Sequence, residues 1–529
     1  MTTTAADPTA ELHAARRNTW NTWVATHAEM NPDGEALRYL GDTTTWAQLH
    51  RDVGAFADAL ARRGVTAGDR VMLITLNSPQ FVEAVLGINE LGAIAVPVNF
   101  RLTPGELAYL VSDCTPKAVV TDAMLAPLVD AIRAQGEEPG EHFVIGGEPG
   151  TENQTTFADA LAEEGEPHAP VDVREDDTAL IMYTSGTTGR PKGSMLSYEN
   201  MTAQALTCIR VFRLYDEAGR ALCAAPMFHI AALGSIAPSL QLGTTTVIHP
   251  LQAFDPAALL DTLEAEEITS IFLVPVQWQA VCAEQQARPR ALRLKNISWG
   301  AAPSTDTILR AMAETFPEAL NCAVFGQTEM SPITCAMDGD DALRKLGSVG
   351  KVIPTIRARV VDGFGEPVAP GEVGEIVYRG PTMMSGYWNK PDETAEAFEG
   401  GWFHSGDLVR MDSEGFVYVV DRKKDMLISG GENVYCAEVE NTIAGHPDVV
   451  EVAVIGRADE KWGEVPVAVL VQKEGTADLT LEQVNEWLQN KLAAFKRPKR
   501  LVHVAELPRN ASGKVVKGTL RSEHGSVGV

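Results

Sequence analysis

The run Tyr183-Thr184-Ser185-Gly186-Thr187-Thr188-Gly189-Arg190-Pro191-Lys192-Gly193 packs phosphate-binding chemistry into eleven residues. Gly186, Gly189 and Gly193 remove side chains where a polyphosphate must approach backbone N–H groups. Four Ser/Thr hydroxyls add donors, and Arg190 and Lys192 add positive charge. The pattern is not G-x-x-x-x-G-K-[ST], which speaks against an ordinary P-loop NTPase. Outward from the loop, Thr178 to Tyr183 is a short apolar run of the kind that forms a buried strand, and Ser197 to Ala205 can start a helix. The expected local arrangement is therefore strand, glycine loop, helix.

The 529-residue chain, 45% hydrophobic and 22% charged, has the composition of a globular protein with a large core. Its formal charge of −27 argues against nucleic acid or an anionic membrane as a main partner, because both would be repelled over most of the surface. Seven scattered cysteines without a C-x-x-C pair indicate neither a disulfide framework nor a zinc site. With no apolar leader-like segment near Met1 and no Ser-Lys-Leu ending, the expected location is cytoplasmic. Ala221 to Gly243 is apolar enough to resemble a membrane span, but Pro226, His229 and Pro238 interrupt it, so it is expected to be buried core beside a pocket.

Helix and strand signals alternate from Thr45 onward. Thr45-Trp46-Ala47-Gln48 is a capping box, the amphipathic stretch behind it runs to Arg63, and Gly64 stands where the helix should stop. Arg70 to Ile74 reads as a strand, Pro79 to Leu91 as a helix and Ala93 to Val96 as a strand again. Between about 347 and 420 the texture changes to short alternating runs separated by Gly/Pro turns, so this part should be mostly β. After Asp421-Arg422-Lys423-Lys424-Asp425 a small α/β pattern follows, with Ala437 to Ala444 and Leu481 to Leu492 helical. The expected fold class is α/β: a large N-terminal region of α/β sheets with a β-rich subdomain, then a small mobile C-terminal α/β domain. The expected division is 1–422 and 423–529, with a hinge at Lys424.

Six further segments stand in order along the chain: Ala225 to His229, Gly300-Ala301-Ala302-Pro303, Phe325-Gly326-Gln327-Thr328-Glu329, Gly401 to Asp407, Asp421 to Asp425, and Pro508 to Lys514. Together with the glycine loop they resemble the adenylate-forming superfamily of acyl-CoA synthetases, luciferases and peptide-synthetase adenylation domains, from about residue 20 to 520. The resemblance implies attack of a carboxylate on the α-phosphorus of ATP, giving acyl-AMP and pyrophosphate, and then transfer of the acyl group to a thiol. It implies ATP, Mg²⁺ and CoA as cofactor and co-substrates, and a carboxylic acid as partner, with a homodimer left open.

By the same resemblance, Lys514 is the cation between carboxylate and triphosphate. Thr184, Ser185, Gly186, Thr187, Thr188, Gly189 and Lys192 form the phosphate loop. Thr184 and Glu329 are the protein contribution to Mg²⁺, and the Thr328 hydroxyl bonds the α-phosphate. Gly300, Ala301, Ala302 and Pro303 form the wall around adenine, joined by Phe325, Gly326 and Gln327; Phe325 stands where the family often has Tyr, so a ring is kept and a hydroxyl lost. Asp407 accepts from the ribose hydroxyls, and Arg422 contacts the ribose or phosphate region. His229, which in isolation reads as a core histidine, borders the acid carboxylate and gates the thiol. Rotation at Lys424 withdraws Lys514 and brings Gly430 and Gly431 to line a pantetheine tunnel. The basic run Lys496 to Arg500 is either a contact for CoA phosphates or a solvated charge run.

Few charges stand near Met227 to Gly234 and Gln327 to Cys335, which favours a medium- or long-chain fatty acid as the acid. Aryl or steroid-side-chain carboxylates suit the same lining, and fold alone does not choose among them. Two other readings are open: an adenylating ligase that loads a carrier protein, and a non-catalytic acyl or nucleotide sensor. Joint retention of Glu329, Asp407, Arg422 and Lys514 weighs against the sensor.

Overall fold

Thr45 caps the helix Trp46–Arg62 as its sequence predicts. Its hydroxyl accepts from the Gln48 N–H at 3.2 Å, and the Gln48 side chain accepts from the Thr45 N–H at 2.8 Å. Leu49, Val53, Phe56, Ala57 and Leu60 recur at helical spacing and are buried, while Gly64 follows the helix end with φ +78°. The computed structural model describes residues 16–147, 153–184, 190–216, 218–302, 304–429, 432–459, 461–489, 491–509 and 515–525. Their contacts divide into two units. One holds Arg190–Arg357 and Arg379–Phe398 with the chain before them; the other holds Ala358–Tyr378 and the chain from Glu399.

The first unit contains two stacks of strands. In one, parallel strands run in the order Thr178–Thr184, Ile94–Pro97, Arg70–Ile74, Ala118–Asp122, Glu141–Ile145 and Gln154–Thr156, with Lys192–Ser197 and Gly386–Tyr387 added antiparallel beyond Thr178–Thr184. Helices follow most of these parallel strands, which explains why Val71 to Ile74 and Ala118 to Thr121 read as continuous apolar or buried runs rather than alternating ones. In the other, Glu35–Tyr39, Thr245–Ile248, Arg220–Cys223, Ser270–Leu273, Asn296–Gly300 and Leu320–Gly326 are parallel neighbours, and Ile333–Asp338 pairs antiparallel with Leu320–Gly326.

One local expectation is corrected. A strand, Lys192–Ser197, stands between the glycine loop and the helix Tyr198–Val211, so the loop closes an antiparallel hairpin in which Thr184 opposes Lys192. Lys-Gly-Ser-Met-Leu-Ser has weak strand propensity, and it is pairing and burial on both faces that make it a strand. The apolar run Ala221 to Gly243 resolves into the strand Arg220–Cys223 and the helix Ile230–Leu242, whose Ile230, Ala232, Leu233, Ile236 and Leu240 are buried. Among the described residues no helix is long and apolar enough to cross a membrane.

The second unit begins with the strand Arg357–Val361, the neighbour of an antiparallel meander, Val373–Arg379, Phe403–Met411 and Phe416–Arg422. It continues into a sheet with strand order Glu432–Val434, Leu427–Ser429, Gly463–Gln472 and Val449–Asp459, with Arg500–His503 parallel to Gly463–Gln472. The helices Cys436–Ala444, Leu481–Leu488 and Lys517–His524 accompany it. The second of these is one turn shorter than the pattern to Leu492 suggests, because Gln489 leaves helical geometry with ψ 133°. The β-rich expectation for 347–420 is met by these strands, apart from the short helix Pro391–Ala397.

Glu83 is an acid inside an apolar helix, Pro79–Glu90, and is only 4% exposed. Burial, with nearby Asp52 adding to it, raises its carboxyl to about 8. The folded value lies above the unfolded one, so the folded state favours the neutral form, and stability falls as pH rises from the ordinary carboxylate range through about 8. Glu83→Gln, which keeps shape and removes ionisation, should therefore be little changed at acid pH and more stable than the parent at pH about 8, by on the order of 4 kcal/mol. Thermal midpoints of both proteins across that range check this; a parallel pair of curves contradicts it.

Candidate active site

Glu329 lies at the centre of the first unit's polar cluster. The strands Leu320–Gly326 and Ile333–Asp338 are joined by a tight connection in which Thr328–Met330 forms a single 3-10 turn. That turn presents Glu329, 9% exposed, while Thr328 is half-buried beside it. The Thr184 hydroxyl, at the last residue of its strand before the glycine loop, donates to Glu329 Oε1 at 3.2 Å. The Tyr387 hydroxyl donates to the same oxygen at 3.2 Å, and burial, together with the Glu329 charge, raises this phenol well above its ordinary value. The Lys192 ammonium stands 5.1 Å from the Tyr387 ring centroid and is itself buried. Thr184, Lys192 and Glu329, chosen from the sequence, are thus brought together, and Tyr387 joins them unannounced.

This donor set fits a magnesium ion. It offers one carboxylate and one hydroxyl, hard oxygens in the small number that Mg²⁺ takes from protein when phosphates supply the rest. Ser185, Gly186, Thr187, Thr188 and Gly189 of the loop lie outside the described residues, as do Pro303, Gly430, Gly431 and Lys514.

The segment 300–303, expected from the sequence to flank adenine, begins where the strand Asn296–Gly300 ends. Gly300 is buried against the neighbouring strand: a Cβ there would stand 2.3 Å from the Val324 carbonyl oxygen. Ala301, with φ +63°, and Ala302 are exposed. On the neighbouring strand Phe325 and Gly326 are half-buried, with Gln327 next to them. The Gln327 N–H bonds the Pro332 carbonyl at 2.8 Å, and a Cβ on Gly326 would stand 1.8 Å from that same oxygen. Gly326→Ala should therefore distort the turn that carries Thr328 and Glu329, lowering stability by about 2 kcal/mol or more and removing most activity. Thermal denaturation and turnover of the purified variant check this; a variant as stable and active as the parent contradicts it.

His229 precedes the helix Ile230–Leu242 at its cap position and is half-buried. Its ring lies 4.5 Å from that of Phe228, which meets Phe100 edge-on at 5.6 Å. Asn77, 1% exposed, pins this loop from below: its amide donates to the Ala225 carbonyl at 3.0 Å and accepts from the Met227 N–H at 2.9 Å. Asn77 is a positioning residue the sequence pattern does not single out, since an Asn-Ser-Pro triplet before a helix reads as ordinary capping.

In the second unit, Asp407 and Arg422 are register partners on adjacent strands. The Arg422 guanidinium meets Asp407 Oδ1 at 2.7 Å; Asp407 is 2% exposed and the arginine side chain 44%. Asp421 does not hold that guanidinium; it accepts from the Arg422 backbone N–H at 2.7 Å and from the Ala437 N–H at 3.2 Å. Nearby, burial pulls the Glu375 carboxyl up, but bonds from His404, Lys423 and the Gly406 N–H outweigh it and leave the carboxyl below its ordinary value. Lys424 is exposed, and its carbonyl accepts from Arg521, which also pairs with Asp425 at 2.5 Å. Of the basic run, Lys496 pairs with Glu438 at 2.6 Å, Arg497 donates to the Leu492 carbonyl, and Lys499 donates to the Ala494 carbonyl.

The chain is similar to known proteins over most of its length. Residues 24–388 match the family described as AMP-binding enzyme, and residues 438–514 match the AMP-binding enzyme C-terminal domain. A feruloyl-CoA synthase from Amycolatopsis sp is 39% identical, covering 95% of this chain and 98% of its own. A long-chain-fatty-acid–CoA ligase from Mycobacterium tuberculosis is 36% identical, covering 91% and 93%. The solved structure of O-succinylbenzoate coenzyme A synthetase from Bacillus subtilis, in complex with ATP and magnesium ion, superposes with a TM-score of 0.83 at 29% identity, covering 94% and 99%.

Proposed function

Because the chain belongs to the AMP-binding enzyme family, we propose that it is an ATP-dependent acid–CoA ligase, joining a carboxylic acid to CoA through an acyl-adenylate with release of AMP and pyrophosphate. The observation that carries the proposal is the convergence of the Thr184 and Tyr387 hydroxyls on the Glu329 carboxylate, at the end of the strand Thr178–Thr184. Thr184 and Glu329 would hold Mg²⁺, which when bound offsets phosphate charge. The chain's own task is to overcome repulsion between two anions. One charge pair at 4 Å is worth on the order of 4 kcal/mol at an effective dielectric of 20, about a thousandfold in rate.

In this proposal Lys514 supplies the offsetting cation, Lys192 and the loop hydroxyls bind phosphate oxygens, and Thr328 bonds the α-phosphate. Asp407, with one oxygen held by Arg422, accepts from the ribose hydroxyls through the other face of its carboxylate. Gly300 to Pro303 and Phe325 to Gln327 flank adenine. His229 borders the acid carboxylate. Backbone rotation at Lys424 then moves the segment 423–529 so that Lys514 withdraws and Gly430 and Gly431 admit the thiol arm.

For the acid, an aryl carboxylate is the first reading, supported by the feruloyl-CoA synthase at 39% identity and by the o-succinylbenzoate enzyme among solved structures. A medium- or long-chain fatty acid is the second, supported by the fatty-acid ligase at 36%. AMP release with ATP, Mg²⁺ and CoA across aryl, arylalkanoic and fatty acids separates them. The highest kcat/KM on an aryl acid is expected; the highest on a fatty acid selects the second reading. Pyrophosphate exchange without CoA turnover would replace CoA by a carrier-protein acceptor.

A further inference from the structure

We propose that Tyr387 is a positioning residue for Glu329, holding its carboxylate ready for the magnesium ion, and that Asp113 locks the segment from which Tyr387 acts. The inference rests on the ligase reading above. Glu329 is buried, and among the described residues its side-chain bonds come from two hydroxyls, Thr184 and Tyr387, rather than from a lysine or arginine. Neutral donors fix a carboxylate in place without neutralising it, so its charge stays available to a cation.

Both hydroxyls trace back to one acid. Asp113, on the helix Pro104–Cys114, has a side chain only 6% exposed. Its Oδ2 accepts from the hydroxyl of Tyr183, the residue before Thr184, at 2.7 Å. Its Oδ1 pairs with the Lys390 ammonium at 2.8 Å. Its carbonyl accepts from the Trp388 indole at 3.2 Å and from the Asn389 amide at 3.1 Å. The Tyr387 segment is tied to the hairpin of the glycine loop as well: Gly386 and Tyr387 pair with Met195 and Ser194, and the Trp388 N–H bonds the Gly193 carbonyl at 2.8 Å. Arg70 lies over the Trp388 ring at 5.2 Å. Asp113 thus grips the strand that ends in Thr184 and the residues 388–390 that directly follow the Tyr387 strand, so the two donors reach Glu329 from a common anchor.

The test is Tyr387→Phe, which keeps the ring under Lys192 and removes only the hydroxyl. Two titrations with Mg²⁺ are read: the ATP-induced rise in thermal midpoint, which needs no turnover, and the rate of acid-dependent ATP–pyrophosphate exchange. A hydrogen bond to a charged group is worth enough to expect about a tenfold higher half-saturating Mg²⁺ in both, with the unliganded midpoint unchanged and the rate recovered at saturating Mg²⁺. Asp113→Asn, which loses the charge for Lys390, should shift both titrations in the same direction. An unshifted Mg²⁺ requirement in Tyr387→Phe, or a loss equal at all Mg²⁺ concentrations with a lowered unliganded midpoint, overturns the role of Tyr387. A shift in Tyr387→Phe without one in Asp113→Asn overturns the lock. Glu329→Gln run alongside separates the premise: if it leaves the Mg²⁺ requirement unmoved, the metal role of Glu329 fails, and the proposal with it.

Discussion

Lys514→Ala is expected to lower acid-dependent ATP–pyrophosphate exchange by about a thousandfold while leaving thioester formation from supplied acyl-adenylate nearly intact. The size follows from the on-the-order-of 4 kcal/mol that a cation at 4 Å contributes against carboxylate–phosphate repulsion. The asymmetry follows from the proposed rotation at Lys424, which takes Lys514 away before the thiol arrives. In the second half-reaction the leaving group is AMP, and the triphosphate that needed the lysine is gone. Circular dichroism and an unchanged thermal midpoint establish that the variant is folded. Equal loss of both half-reactions in a folded variant contradicts the alternation of residues between the two steps.

Glu329→Gln is expected to reduce adenylation by about a hundredfold or more at ordinary Mg²⁺, with part of the loss recovered as Mg²⁺ is raised. The amide oxygen of glutamine can still accept from Thr184 and Tyr387, both of which donate to Oε1 at 3.2 Å, so the turn Thr328–Met330 should keep its shape. What disappears is the negative charge. A thermal midpoint like the parent's, with a weaker Mg²⁺-dependent stabilisation by ATP, is the accompanying signature. Near-normal exchange without a changed Mg²⁺ requirement contradicts the assignment of Glu329 to the metal.

Much of this site was legible because its motifs lie in contiguous segments. The helix Trp46–Arg62 follows from its own cap and apolar spacing, both local signals. Thr184, Lys192 and Glu329 were recognisable from motif order and do converge in one unit. The pairing of Arg422 with Asp407, rather than with the adjacent Asp421, needed strand register, which sequence does not print. Tyr387 and Asp113 were invisible for a different reason. Their bonds to Glu329, Tyr183 and Lys390 span 58, 70 and 277 residues, and a tyrosine in a two-residue strand among Gly, Asn and Pro carries no periodic signal. The strand Lys192–Ser197 was hidden because tertiary pairing overrode a weak propensity. Nothing local in the sequence marks Glu83 as buried, since a single acid in an apolar helix ordinarily lies on the solvent side.

In the proposed reaction the acid's own oxygen attacks the α-phosphorus of ATP. The most direct measurement uses the best acid from the substrate panel, labelled with ¹⁸O in both carboxylate oxygens, and follows the label by mass spectrometry after turnover with ATP, Mg²⁺ and CoA. One ¹⁸O in AMP and none in pyrophosphate is the predicted result. Label in inorganic phosphate with ADP as the nucleotide product, or unlabelled AMP, would contradict it.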